Sequence, residues 1–84
     1  MSLFVSIDPG KNKCGLLLAD KQSGKVLEAG ICSLNSFSQL ISYWNGKNTI
    51  SKIIIGNGTN CNYIKNELKR KNFFDINYVN EKGS

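Results

Sequence analysis

The sequence predicts a single α/β domain on a mixed five-stranded sheet, with three antiparallel strands first and two parallel ones after them. Three observations carry this. The first three apolar runs are joined by links too short for a crossover, so they form hairpins. From Phe37 onward the apolar spacing changes to i, i+3, i+4, i+7, the stripe of a helix. "KIIIG", residues 52–56, is a short, wholly apolar run bounded by glycine and lying between two helical stretches.

Residues 3–7, Leu-Phe-Val-Ser-Ile, are apolar and β-branched enough for a strand, and Pro9-Gly10 stops it because proline supplies no ladder N–H. Asp8 then stands at the strand's end. Gly15 to Ala19 is a second strand, Ser23-Gly24 within "DKQSGK" is a turn, and Val26 to Cys32 is a third strand. Phe37, Leu40, Ile41 and Trp44 make the apolar stripe of a first helix, with Asn35 or Ser36 as N-cap and Gly46 at its end. The run at 52–56 suits a central strand with neighbours on both sides and both faces covered. A second helix covers about residues 60–71, with Cys61, Ile64 and Leu68 on one face, Thr59 or Asn60 as cap, and Lys69, Arg70 and Lys71 complementing its C-terminal dipole. The last strand spans roughly Asp75 to Val79. Right-handed crossovers make the last two strands parallel to the first.

With 84 residues the chain is one domain at most, burying about 60–65% of the surface its unfolded form exposes. Eleven Lys and Arg against six Asp and Glu give a net charge of +5, which favours polyanionic partners such as nucleic acid. The abundance of Lys, Asn and Ile gives the same charge through composition alone. Cys14, Cys32 and Cys61 are far apart, with no CxxC pair and no histidine in the chain, which argues against a zinc site of ordinary spacing. They read as buried thiols. No apolar stretch reaches the roughly 18–20 residues of a membrane span, and the N-terminus has no signal-peptide pattern, so the sequence predicts a cytoplasmic protein in a reducing setting.

The chemistry concentrates at one sheet edge, where parallel strands end and crevices for ligands lie. Asp8 and Glu81 both end strands there. Two carboxylates beside lysines offer hard oxygen ligands for Mg²⁺ or Mn²⁺, with substrate phosphate completing the coordination. Each also has a plain structural reading: an Asp before Pro-Gly forms turns, and a Glu near a terminus is solvated. Lys11 and Lys13 suit contact with a phosphate backbone, and equally a solvated hairpin. Asn57, Gly58 and Thr59 form a strand-to-helix turn whose N–H groups suit phosphate, or simply a tight turn with a helix cap. Tyr43, Phe73, Phe74 and Tyr78 are of the type that stacks on bases, whereas Trp44 continues an apolar stripe and belongs to the core. Asp20 has no assigned role.

"FVSIDPGKNKCGLLLAD" resembles the first-strand motif of the RNase H-like resolvases: a strand ending in I/L-D-x-G, a short basic turn, then a glycine opening the second strand. "IIIGNGTN", the basic helix after it and "INYVNEKGS" look like the YqgF (RuvX) group, Holliday junction resolvase-like proteins also linked to pre-16S ribosomal RNA maturation. The match spans nearly the whole chain. It implies an RNase H-like fold with two-metal nuclease chemistry, in which Asp8 matches the first catalytic aspartate and Glu81 the glutamate of a D-E-R segment. Asn80 and Lys82 replace that segment's usual Asp and Arg. The family's third carboxylate, on a later helix, has no counterpart in these residues. Residues 1–84 are therefore expected to be an incomplete piece of a domain of about 140 residues, within the ~100–200 of ordinary domains.

The leading expectation is a Mg²⁺-dependent structure-specific endonuclease for branched DNA or structured RNA, inactive as this piece. A nucleotide-binding module of actin-like type is an alternative, because such proteins also follow a first strand with D-x-G and a hairpin. A non-catalytic nucleic-acid-binding or degenerate member is another. Missing C-terminal helices would leave one sheet face open, including the Leu16 to Leu18 and Ile53 to Ile55 runs, and favour homo-oligomers.

Overall fold

A computed structural model describes residues 2–56, 58 and 60–79. The elements run β1 (Leu3–Pro9), β2 (Lys13–Asp20), β3 (Val26–Ser33), α1 (Phe37–Lys47), β4 (Ile50–Gly56), α2 (Cys61–Arg70) and β5 (Ile76–Val79). The sheet order is β3-β2-β1-β4-β5. β2 is antiparallel to both neighbours, while β4 is parallel to β1 and β5 to β4. Hence β1, β3, β4 and β5 all end at one edge, as the sequence predicts.

The chain order fixes which face is covered. Both helical crossovers, β3 to β4 and β4 to β5, step in the same direction across the sheet. With a common handedness they lay both helices on the same face. The core follows: Leu3, Val5, Ile7, Cys14, Leu16, Leu18, Ile53 and Ile55 point from the sheet to meet Phe37, Ile41 and Trp44 of α1 and Ile64 and Leu68 of α2. Residues of the other parity, Phe4, Ser6, Asp8, Gly15, Leu17, Lys52 and Ile54, face away and are half-buried or exposed.

Several expectations change on this account. Among the described residues β4 is covered on one face only, because both helices lie on that face. Leu16, Leu18, Ile53 and Ile55 are core, so only Leu17 and Ile54 of those runs lie on the open face. α1 continues through Gly46 to Lys47, and the Asn48 N–H closes it on Trp44 O at 3.1 Å. Ser36 stands at the N-cap without a side-chain cap bond; its hydroxyl lies 3.0 Å from that of Ser33. Asp20, unassigned from sequence, clamps the β2–β3 turn: its carboxylate accepts from Gln22 N (3.1 Å) and Ser23 Oγ (3.1 Å), its carbonyl accepts from Gly24 N, and Gly24 adopts a positive φ of 74°. All three cysteines are free thiols, Cys14 buried and Cys32 and Cys61 half-buried. No helix among the described residues is long and apolar enough to cross a membrane.

Burial, and secondly the neighbouring Cys32, push the Cys14 thiol from 9.0 up to about 11. The folded state thus favours the neutral thiol, and its contribution is complete below pH 9 and lost as pH rises toward 11. Stability is expected to fall across that window more steeply in the parent than in Cys14→Ala; equal slopes in urea melts at stepped pH refute this. Among core positions, Phe37→Ala should cost about 3–5 kcal/mol. Trp44→Phe should stay within about 1 kcal/mol, because the buried Nε1–H it removes has no partner among the described residues. Denaturant midpoints check both.

Candidate functional site

The candidate site is the edge where β1 ends. Ser6 and Asp8 share the open-face parity, so the Asp8 carboxylate leaves the strand toward solvent. Asp8 pairs with Gly15 of β2, where a Cβ would stand 3.7 Å from the Cβ of Asp8. Glycine there, with Ala29 and Gly30 on β3, leaves a shallow hollow lined also by Ser6, Leu17 and Ile31, with Asp8 at its rim.

Beyond Asp8 the chain reverses through Gly10, Lys11 and Asn12. Gly10 is required sterically, since a Cβ would come within 2.7 Å of the Lys13 carbonyl oxygen. The turn is tied down through its carbonyls. Asn60 Nδ2 donates to Gly10 O and Lys11 O, both at 3.0 Å, and Leu34 N donates to Asn12 O at 3.2 Å. The amides of Gly10, Lys11 and Asn12 have no acceptor among the described residues. They are three successive backbone donors, groups of the kind from which an anion accepts. The Lys11 and Lys13 side chains are exposed.

Asn60 differs from the sequence expectation. It occupies the N-cap position of α2 in a left-handed conformation, φ 67°, with no side-chain cap bond. Its amide is spent across the site on the β1–β2 turn instead. Cys61, expected on the apolar face, lies with its sulfur 2.9 Å from Gly58 O and 3.3 Å from Gly56 O, and accepts from Gly58 N at 3.3 Å. Gly58 itself sits against β1, where a Cβ would stand 3.4 Å from Pro9 O.

Asp8, Lys11, Lys13 and Gly58 are therefore gathered at one edge. Asn57, Thr59 and Glu81 lie outside the described residues. No group of three His, Cys, Asp or Glu residues gathers as metal ligands among the described residues. Sequence reading missed Asn60 as a cross-link, since an Asn before a helix reads as a cap; the left-handed backbone that turns it away has no sequence signal beyond Asn itself. Of the aromatic residues, Trp44 is core as expected; Tyr43 carries Lys47 Nζ 4.9 Å above its ring, and Tyr78 carries Lys65 Nζ at 5.7 Å.

No protein-family model matches the sequence, and no curated protein matches it. Solved structures do match in fold. Three crystal structures of Ppx/GppA proteins from Aquifex aeolicus are similar: the type II variant of the phosphatase (TM-score 0.54, 12% identity, 94% of this chain), the PPX-GPPA enzyme (0.53, 13%, 93%) and the family member of a structural characterization (0.54, 12%, 96%). This chain spans 36% of each. Those phosphatases have the actin-like fold, related to RNase H-like folds, and the likeness is one of fold.

Two substitutions at residue 60 separate the roles of its backbone and its amide. Asn60→Gly keeps the positive φ and loses two hydrogen bonds, and should cost about 1–2 kcal/mol. Asn60→Ala adds about 1–2 kcal/mol for the left-handed backbone. Equal costs in denaturant melts would show that the backbone carries no strain.

Proposed function

We propose that this chain is a phosphoanion-binding module that works with a divalent cation, and that its parent activity is cleavage of a phosphodiester in branched DNA or structured RNA, as in the YqgF resemblance. The observation that carries the reading is the β1–β2 turn beside Asp8, Lys11 and Lys13, whose carbonyls are all engaged while its amides have no acceptor among the described residues. Free amides and two lysines attract a phosphate; a carboxylate at the strand end gives a cation its hard oxygen donor.

The donor set fits Mg²⁺ or Mn²⁺ of the kind held by one or two carboxylates plus substrate oxygens. Asp8 would hold it, with Glu81 as the second carboxylate that the resemblance implies. A bound cation of this kind supplies a Lewis acid that polarises a phosphoryl oxygen and lowers the pKa of a bound water. The chain's own residues orient the phosphate: the turn amides by hydrogen bonds, Lys11 and Lys13 by charge, and the hollow beside Gly15 by leaving room at the Asp8 carboxylate. Asn57, Gly58 and Thr59, which follow β4 in the chain, would add phosphate contacts.

The second reading is the nucleotide-binding module of actin-like type. Its support is the fold likeness to phosphatases of that architecture, of which this chain spans about a third. In both readings the same turn faces a phosphate, so the ligand distinguishes them.

Titration with a four-way DNA junction, a structured RNA and ATP, each with Mg²⁺, is the deciding experiment. The proposal expects junction or RNA binding whose affinity falls with salt, with the log–log slope reduced by about 2 in the Lys11→Ala, Lys13→Ala double variant. Asp8→Asn should remove the dependence on Mg²⁺ and leave the salt slope nearly unchanged. Binding of ATP without binding of either nucleic acid transfers the site to the second reading, and binding of none refutes both.

A further inference from the structure

The two edges of the sheet differ. β5, as described, has four residues, whereas β3 has eight, with neither lysine nor proline and a single charge, Glu28. Short, charged or proline-bearing edges resist further pairing; a long neutral one invites it. Ile31 of β3 is 75% exposed.

The direction of the unpaired backbone groups follows from the ladder. Leu34 N donates to Asn12 O, which makes 12 and 34 a bonded pair in the register that aligns Lys13 with Ser33 and Cys14 with Cys32. Bonded and non-bonded pairs alternate in an antiparallel ladder, so 14–32, 16–30 and 18–28 are bonded, while Ala29, Ile31 and Ser33 aim their N–H and C=O groups away from β2. The opposite side of β2 agrees: Lys21 N donates to Ser2 O, so odd-numbered β2 residues bond to β1 and even-numbered ones to β3. The register shift between Leu18 and Ala19 leaves Leu27 as an extra residue, which confines any outer pairing to the later half of the strand.

We propose that β3 pairs antiparallel with β3 of a second copy, with Ile31 on the two-fold axis, to join two sheets into one. A two-fold normal to the sheet opposes residues of like parity, and only three outward-directed residues are available. Centring on Ile31 uses all of them: Ile31 meets its own copy and Ala29 meets Ser33 of the other, three bonded pairs and about six hydrogen bonds. Centring on Gly30 uses only Ala29 and Ile31, and centring on Ala29 brings in the bulge at Leu27. Side chains agree with this choice. The Ile31 pair is flanked by small residues, Gly30 opposes Cys32, and residues 29–33 carry no charge, so two copies of a +5 chain meet where neither is charged.

The test uses the 84-residue chain. Sedimentation equilibrium should find a reversible species of twice 9.3 kDa at tens to hundreds of micromolar, and Ile31→Lys, with unchanged circular dichroism, should weaken it at least tenfold. The register is read separately by Gly30→Cys, a position where a Cβ meets nothing within 4 Å. Under mild oxidation this variant should form a disulfide-linked dimer through Cys32 of the other copy, and adding Cys32→Ser should abolish it. A strictly monomeric parent at high micromolar concentration overturns the proposal. So does a dimer that survives Ile31→Lys and gives no cross-link with Gly30→Cys, since that dimer uses another surface.

Discussion

The direction of the two crossovers governs the rest of the molecule. Because β3→α1→β4 and β4→α2→β5 both step the same way, both helices occupy one face, and β1, β2 and β4 each have a buried parity and an open one. On β1 this divides Leu3, Val5 and Ile7 from Phe4, Ser6 and Asp8. A one-residue slip would bury Asp8 against Ile55 and expose the core row, so register and site are specified by the same hydrophobic pattern. The position of the carboxylate is therefore a consequence of packing as much as of function.

Much of this was legible in the sequence. Strand and helix order followed from spacing, because the apolar period switches cleanly at Phe37 and again after Gly56. The one-sided cover of β4 was not legible: Ile53-Ile54-Ile55 reads as buried on both faces, and only the sheet order shows that both described helices lie on the face away from Ile54. Helix ends were read less well. Gly46 has nothing within 4 Å of a notional Cβ and lies within the last turn of α1, where the capping contact belongs to Asn48. At the site, Asp8, Gly10 and the lysines stood out because they follow directly on an apolar strand and gather carboxylate and ammonium groups in six residues. Asn60 did not, because its bonds reach 49 and 50 residues back in the chain, and no local pattern encodes a contact of that separation.

What those distant bonds accomplish is preorganisation. A free three-residue turn would lose about 1–2 kcal/mol per residue in backbone entropy on gripping an anion, roughly 3–6 kcal/mol in all. Here Asn60 and Leu34 fix the three carbonyls when the domain folds, so that cost falls on folding rather than on binding. The anchors come from opposite sides, Leu34 from the end of β3 and Asn60 from the start of α2, so the turn is fully held only when β3 has paired with β2 and the β4–α2 crossover has docked. A turn coupled in this way should lose its shape together with the core, as a single cooperative unit. Amide exchange at Gly10, Lys11 and Asn12, whose N–H groups have no acceptor among the described residues, would then report solvent access, while Leu34, bonded to Asn12 O, would report the opening of the turn itself.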